Sequence, residues 1–172
     1  LLAYNSGVFP WYDKQPILWW SPAWRMVLFP DKFKVSKSLR QTIRRGKFSI
    51  SFNKDFERVI TNCATIRAKN RTATWITPEM QEAYIKLHNL GHASSVEVWY
   101  EGDLVGGLYG VDLPNKKIFC GESMFSKMSD ASKIAFYYLV EDLKRKNYKL
   151  IDCQIYNDHL SSLGAETIAR DA

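Results

Sequence analysis

The sequence predicts an α+β fold in which helices pack on a mixed β-sheet as an α/β sandwich, preceded by a small Pro/Trp-rich segment. Apolar residues recur at helical spacing in some stretches and alternate with polar residues in others. The inferred order is helices, a hairpin, a strand, a long helix and a further strand. A strand–helix–strand crossover implies parallel pairing beside the antiparallel hairpin, so we expect a mixed sheet.

Length and composition fit one compact domain with a small appendage. The 172 residues, 46% of them hydrophobic, are enough to bury a sizeable core. Three widely spaced cysteines form no CxxC motif, which argues against a disulfide framework and against a zinc site. The residues show no charged-then-apolar leader pattern and no apolar run approaching about 18 residues, which argues against a signal peptide and a membrane span. We therefore expect a soluble cytoplasmic protein with no membrane partner.

The first 29 residues differ in composition from the rest, with three prolines and four tryptophans. Regular structure is hard to sustain at this proline density, and the aromatic residues are expected either to wall a pocket or to pack against a neighbouring domain. We interpret residues 1–29 as the remnant of a small N-terminal domain and residues 30–172 as the main domain. The chain begins at Leu1 and ends after a helical pattern, so we expect that it is trimmed at both ends.

Cap residues mark the helices that follow. Ser36 is placed to cap a first helix, and residues 48–52 alternate as a strand. Asn53 is predicted to cap the second helix. Thr77, with a proline directly after it, is predicted to cap the third, which Gly91 ends.

The second half of the chain alternates strands and helices. Residues 96–111 predict a hairpin that turns at Glu101–Asp103, and a third strand covers residues 118–120. Gly121-Glu122-Ser123 and a polar loop are expected next, with Asp130 as the cap of a long helix. Lys149–Ile155 then forms a strand, and a short helix covers residues 159–165.

The strand Lys149–Ile155 contains two polar residues where a central parallel strand is normally apolar on both faces. Asp152 and Gln154 are two residues apart, so their side chains share one face. A local violation of this kind is expected at a functional site.

Charge is concentrated in one segment. Residues 31–71 contain 12 Lys/Arg and three Asp/Glu, a net charge of +9 within a chain of net charge +6. Lys37, Arg40 and Arg44 form a basic stripe on the first helix. Charge alone leaves two interpretations open, a nucleic-acid surface and an ordinary solvated face.

The order of elements resembles the acetyltransferase-superfamily (GNAT-like) fold. Acetyl-CoA binders usually place a glycine-bearing turn before the central helix, where backbone N–H groups hold the pyrophosphate. Residues 126–132 contain no glycine. We therefore expect the fold without the cofactor, and neither a metal nor another cofactor is expected.

Seven short motifs carry a closer resemblance, over essentially the whole chain. In order they are Gly7-Val-Phe-Pro-Trp11, Trp19-Trp-Ser-Pro22, Thr74-Trp-Ile-Thr77, Gly106-Gly-Leu-Tyr-Gly110, Gly121-Glu-Ser-Met-Phe-Ser126, Asp152-Cys-Gln154 and Ser162-Leu-Gly-Ala165. Together they resemble the leucyl/phenylalanyl-tRNA-protein transferase family. One departure is that Ala23-Trp24-Arg25 stands where the family usually has Asp-Pro-Arg.

The resemblance implies an aminoacyltransferase that moves leucine, phenylalanine or, less often, methionine from aminoacyl-tRNA to proteins that begin with Arg or Lys. The product would be an N-end rule degradation signal, and the enzyme is expected to be a monomer. An acyl-CoA-dependent N-acyltransferase and a non-catalytic tRNA-binding protein remain alternatives.

The resemblance also implies roles for individual residues. The catalytic set is Asp152, Gln154 and Glu122. Glutamine is too weakly basic to take a proton alone, so Gln154 is assigned a positioning role, and Asp152 is expected to orient it or the incoming amine. The substrate-binding set is Trp11, Trp75, Phe119, Phe136, Leu139, Leu143 and Ile151. The tRNA-binding set is Lys37, Arg40, Arg44, Arg45 and Lys47.

Overall fold

The computed structural model describes residues 1–12, 16–70 and 75–170. Its strands are β1 (Phe9–Pro10), β2 (Trp19–Trp20), β3 (Trp24–Leu28), β4 (Ser49–Phe52), β5 (Ala93–Tyr100), β6 (Asp103–Leu113), β7 (Ile118–Ser126), β8 (Leu150–Gln154) and β9 (Glu166–Ala169). Its α-helices are α1 (Leu2–Asn5), α2 (Lys37–Arg44), α3 (Phe56–Asn70), α4 (Pro78–Asn89), α5 (Ala131–Arg145) and α6 (Asp158–Ser162). Pro30–Lys32 forms a 3₁₀ turn.

Seven of these strands form one mixed sheet in the order β4-β5-β6-β7-β8-β3-β9. β7 and β8 pair in parallel, with Phe119 opposite Ile151, and the other described pairs in this sheet are antiparallel. The parallel pair is joined through α5, as the crossover predicts. The mixed-sheet α/β sandwich inferred from the sequence is confirmed.

Helices cover both faces of this sheet and enclose two apolar cores. On one face, α5 and α2 contribute Ile134, Leu139 and Leu39. On the other face, α3 and α4 contribute Val59 and Tyr84. β6 lies between the two cores and is buried over most of its length, because both of its faces are covered. None of the described helices is both long enough and apolar enough to cross a membrane.

The helix caps agree with the sequence at two positions and differ at two. Ser36 and Thr77 each accept a hydrogen bond from the backbone N–H three residues later. The prediction for Asn53 is wrong: its φ of 56° places it in a left-handed turn, and its side chain accepts the N–H of Ser95 instead. Asp130 lies at the N-cap position of α5, but its side chain makes no capping hydrogen bond.

The third strand is longer than the predicted residues 118–120, because β7 continues through Gly121, Glu122 and Ser123 to Ser126. β6 is long enough to supply hydrogen-bonding partners over this whole length, with Gly106 opposite Ser126. Glu122 therefore projects from a rigid strand rather than from a loop.

The Pro/Trp-rich segment contains more regular structure than expected. β1 and β2 pair with each other, and β3 lies between β8 and β9 inside the large sheet. β3 contains no proline, whereas the two-residue β1 includes Pro10. β3 precedes the predicted domain boundary at residue 29, and yet it lies inside the sheet that the following residues form. β9, which the sequence did not predict, forms against β3.

A glycine in β6 offers a test of how tightly the strands pack beside the site. A Cβ added at Gly110 would overlap the carbonyl oxygen of Cys120 and lie 2.6 Å from the Phe119 ring. We expect Gly110→Ala to lower the free energy of unfolding by roughly 2–3 kcal/mol in urea denaturation. Gly121→Ala is the matched control, since its Cβ would lie 3.7 Å from the nearest atom. Equal losses in the two variants would contradict this packing.

Candidate active site

The buried carboxylate of Asp152 is held by Arg25 of the neighbouring strand. Arg25 donates from Nε to Oδ1 at 2.8 Å and from Nη2 to Oδ2 at 2.7 Å, and both side chains are about nine-tenths buried, at 10% and 12% exposed. This bidentate geometry is the strongest form of an Arg–carboxylate pair. Arg25 is fixed in turn by the carbonyl oxygen of Gly7 and by the Phe9 ring beneath it.

Asp152 also holds Gln154. The backbone N–H of Gln154 donates to Asp152 Oδ1 at 2.9 Å, at the end of β8 where Gln154 has a φ of 67°. Asp152 does not line the cavity described below, whereas Gln154 does. Both carboxylate oxygens of Asp152 are therefore occupied by hydrogen bonds, from Arg25 and from the backbone of Gln154.

Glu122 is the acid that reaches the cavity. Its Oε1 accepts hydrogen bonds from Tyr4 Oη at 2.6 Å and from Gln154 Nε2 at 2.9 Å, and its Oε2 accepts one from Tyr84 Oη at 2.8 Å. Burial raises the pKa of Glu122 to about 7 against the lowering effect of these hydrogen bonds, with the charge of Asp152 adding to the rise. A carboxyl group in this state changes its protonation near neutral pH.

A cavity of about 360 Å³ opens beside these groups. Six of the seven predicted substrate-binding residues line it together with Glu122 and Gln154: Trp11, Trp75, Phe119, Phe136, Leu139 and Ile151. Leu143 does not line it, because this residue lies one turn further along α5 and borders a separate cavity of about 260 Å³. Phe136, Leu139 and Leu143 all lie on α5. Leu143 lies beyond the floor of the 360 Å³ cavity.

The sequence analysis missed Arg25, Tyr4 and Tyr84 as functional residues. Tyr4 and Tyr84 are 80 positions apart in the chain, and Arg25 is 127 positions from Asp152. No local pattern connects residues at such separations. For Arg25, a signal was available in the sequence, because the family usually has an arginine at the end of the Asp-Pro-Arg stretch that follows the Trp19–Pro22 motif.

The five predicted tRNA-binding residues lie on α2 and the turn after it, and all five are exposed. None lines the 360 Å³ cavity. Within the described residues, no ion pair joins any of them to an acid. Lys47 lies over the rings of Phe48 and Tyr100. Their charges are therefore available to a polyanion.

The start of α5 does not fit the pyrophosphate of acyl-CoA. The first N–H groups of this helix are already used, by the carbonyl oxygen of Met128 for Ala131 and by the hydroxyl of Ser126 for Ser132. The carboxylate of Asp130 lies at the same helix end, where it would repel a phosphate. The loop before α5 thus lacks glycine in the sequence, and in the structure the N–H groups of Ala131 and Ser132 already have partners.

Comparison with known proteins identifies the family. A family profile described as leucyl/phenylalanyl-tRNA protein transferase matches residues 27–172, and the profile of the N-terminal domain of the same family matches residues 1–23. The chain belongs to the leucyl/phenylalanyl-tRNA protein transferase family. The resemblance seen in the seven sequence motifs is confirmed.

Relatives of this transferase family are similar over nearly the whole chain. The leucyl/phenylalanyl-tRNA–protein transferase of Christiangramia forsetii is 56% identical over 98% of this chain and 80% of its own length. That of Flavobacterium psychrophilum is 56% identical over 99% of this chain and 81% of its own length. Both relatives carry the same name as the family profile.

A solved acetyltransferase shares the fold. An aminoglycoside acetyltransferase from an uncultured soil metagenomic sample superposes with a TM-score of 0.51 at 13% identity, covering 69% of this chain and 84% of its own. This similarity concerns the fold alone. It confirms the GNAT-like architecture expected from the order of elements.

The Arg25–Asp152 pair gives a stability prediction. Arg25→Met leaves the Asp152 carboxylate buried without its cation, and we expect a loss of roughly 3–5 kcal/mol in the free energy of unfolding. Arg58→Met is the control, because its ion pair with Asp55 is partly exposed, and a change within about 0.5 kcal/mol is expected there. Urea denaturation at neutral pH measures both. Similar losses in the two variants would show that the buried pair does not hold β3 to β8.

Proposed function

We propose that this chain transfers leucine, phenylalanine and, less often, methionine from aminoacyl-tRNA to the N-terminal Arg or Lys of acceptor proteins, creating an N-end rule degradation signal. Family membership supports the transferase reaction. The observation that carries the proposal is the cavity in which aromatic and aliphatic walls meet Gln154 and Glu122. Such a site accepts an apolar aminoacyl group and an amine together.

The donor's side chain would occupy the apolar part of the cavity. Phe136, Leu139 and Ile151 form a wall with no polar side-chain atoms, which favours leucine or phenylalanine over polar side chains that would lose their hydrogen bonds. Trp11 and Trp75 are assigned to the terminal adenosine, because indole rings provide stacking surfaces for bases. Phe119 completes this wall.

The reaction is attack by an uncharged α-amine on the ester carbonyl of the donor. It requires two oriented substrates and stabilisation of the developing oxyanion. In the proposal, the side-chain amide of Gln154 orients the reacting groups. Asp152 acts through the backbone of Gln154, and Arg25 holds that carboxylate in place.

The tRNA body would lie on α2 and the following turn. Lys37, Arg40, Arg44, Arg45 and Lys47 supply unpaired cations there, which bind phosphates with strong salt dependence and little dependence on sequence. The two acids of the site, Glu122 and Asp152, lie elsewhere, on β7 and β8. This separation allows one surface to bind a polyanion while the cavity receives a cationic N-terminus.

The remaining proposals concern the setting of the reaction. We propose a cytoplasmic monomer that works without a cofactor, with residues 1–29 as part of a small N-terminal domain and residues 30–172 as the catalytic domain. The used N–H groups at the start of α5 support independence from acyl-CoA.

One assay tests the proposal against its two alternatives. The purified chain is mixed with labelled leucyl-tRNA and an Arg-initiated peptide, with and without acetyl-CoA. Label transfer that needs no CoA and is lost in Asp152→Ala supports the proposal. Acylation that requires CoA would identify a small-molecule N-acyltransferase, and tRNA binding without transfer would identify a binding protein.

Charge reversal tests the basic surface. We expect Arg40→Glu/Arg44→Glu to raise the KM for aminoacyl-tRNA by about tenfold or more and to reduce the slope of log affinity against log salt by about 2, because two phosphate contacts are lost. Lys86→Glu/Lys149→Glu changes the net charge equally at exposed positions outside α2 and serves as control. If both double variants behave alike, α2 does not contact tRNA.

Two leucines of α5 test the pocket floor. Leu139 lines the cavity and Leu143 does not, although both are buried. Each change to Ala is expected to cost roughly 2–5 kcal/mol in the free energy of unfolding. Leu139→Ala should also raise the ratio of kcat/KM for phenylalanine over leucine by about tenfold, as the pocket deepens. An equal change of preference in Leu143→Ala would place the donor elsewhere.

A further inference from the structure

Three oxygen-bearing side chains beside the cavity form a closed triangle. Tyr4 Oη lies 2.6 Å from Glu122 Oε1, Tyr84 Oη lies 2.8 Å from Glu122 Oε2, and the two tyrosine hydroxyls are 2.6 Å apart. All three side chains are buried. Each of these separations is that of an O–H···O hydrogen bond.

The number of protons in the triangle depends on Glu122. Each tyrosine hydroxyl supplies one proton, so an ionised Glu122 leaves two protons for three oxygen–oxygen contacts. One contact then holds two oxygens together with no proton between them. A protonated Glu122 adds the third proton, and every contact becomes a hydrogen bond. The observed geometry is therefore complete with the neutral carboxyl group.

We propose that Glu122, Tyr84 and Tyr4 form a proton-accepting ring that takes up the proton lost by the acceptor's α-ammonium group. The inference rests on the proposed transfer reaction and names the group that takes the proton. Glu122 is the ring member that lines the cavity, so the proton enters the ring there. Tyr4 and Tyr84 are positioning residues that complete the ring behind it.

The side chain of Gln154 sets the direction of the ring. Its Nε2 donates to Glu122 Oε1 at 2.9 Å, so Oε1 is kept as an acceptor. The added proton resides on Oε2, which then donates to Tyr84 Oη. Tyr84 donates to Tyr4 Oη, and Tyr4 donates back to Oε1. Gln154 thus contacts both the cavity and the ring, which gives its side-chain amide a second positioning role.

The step balances without an additional reactant. One N–H bond of the ammonium group breaks, its electron pair stays on nitrogen, and the proton goes to Glu122. The free amine attacks the ester carbonyl and forms the C–N bond. The C–O bond to the ribose then breaks, and a second proton from the nitrogen goes to the leaving ribose oxygen. The proton on Glu122 returns to solvent after the product leaves.

The groups around Glu122 bring its pKa close to neutral pH. The titratable and charged groups around it are Tyr4 on α1, Tyr84 on α4, Tyr109 on β6, Cys120 on β7 and Asp152 on β8, whose carboxylate is paired with Arg25 on β3. Burial and the charge of Asp152 raise the pKa of Glu122 to about 7. A base with this pKa can accept a proton from an α-ammonium group near neutral pH.

The neighbouring groups are less suited to this role. Both carboxylate oxygens of Asp152 are bound by Arg25, and the amide of Gln154 is a very weak base. His159 also lines the cavity, and burial together with the charge of Lys133 lowers its pKa. His159 is therefore the alternative proton acceptor, and the experiment must distinguish it from Glu122.

The test is the pH dependence of transfer in Glu122→Gln. Glutamine has the shape of the neutral carboxyl group and can donate to Tyr84, so the ring stays closed but accepts no proton. We expect the single-turnover rate to fall by about tenfold near pH 7, because only about a tenth of an α-amine with a pKa of about 8 is unprotonated there. The rate should recover towards pH 9, where an α-amine with a pKa of about 8 arrives unprotonated. The KM for the acceptor peptide should change little.

A stability measurement reports the same protonation without using activity. Because folding raises the pKa of Glu122 from 4.5 to about 7, the wild type loses stability as pH rises through this interval. Glu122→Gln has no such titration. We therefore expect equal Tm values for the two proteins near pH 4.5 and a Tm several degrees higher for Glu122→Gln at pH 8. The infrared band of a protonated carboxyl group should titrate near pH 7 in the wild type and be absent from the variant.

The outcomes separate the inference from the function on which it rests. A wild type that transfers nothing from leucyl-tRNA would refute the proposed function. If the wild type transfers, the inference is overturned when Glu122→Gln loses the same factor at every pH, or when it raises the acceptor KM and leaves kcat unchanged. It is also overturned when His159→Gln, and not Glu122→Gln, abolishes the activity near pH 7.

Discussion

The pairing of Arg25 with Asp152 is the interaction on which the site depends. It places two buried charges between β3 and β8, where each would be costly without the other. Arg25 also binds the carbonyl oxygen of Gly7 and lies over the Phe9 ring. The pair thereby fixes the N-terminal segment against the catalytic strand, and that segment contributes Tyr4 and Trp11 to the site. An alteration at Arg25 therefore reaches the ring around Glu122 as well as Gln154.

The charged groups discussed here lie in two separate regions of the molecule. The acids at the site are buried and satisfied by hydrogen bonds or by a single cation. The cations on α2 are exposed and unpaired by acids within the described residues, so their charges are available to a polyanion. The positive surface and the acids of the site therefore lie on different elements of the fold.

The fold of an acetyltransferase is used here with a different donor. In this chain the first N–H groups of α5 bind Met128 and Ser126, so the helix start offers no phosphate cradle. The same helix instead supplies Phe136 and Leu139 to the cavity wall. Over about one turn, the inward face of α5 borders the cavity instead of only packing in the core. At Leu143 the same face packs in the core again.

The sequence by itself determined the architecture, the family and most of the cavity wall. Periodicity, caps and the crossover are local signals, and they predicted the mixed sheet and the helix starts at Ser36 and Thr77. The seven ordered motifs carried the predicted site residues with them. The tertiary structure decided how those residues are arranged: Asp152 is bound by Arg25, Glu122 is bound by Tyr4, Tyr84 and Gln154, and Leu143 lies outside the pocket. The hydrogen-bonded pairs are 32 to 127 positions apart in the chain. Such contacts arise from packing and burial of the whole chain, which no local pattern encodes.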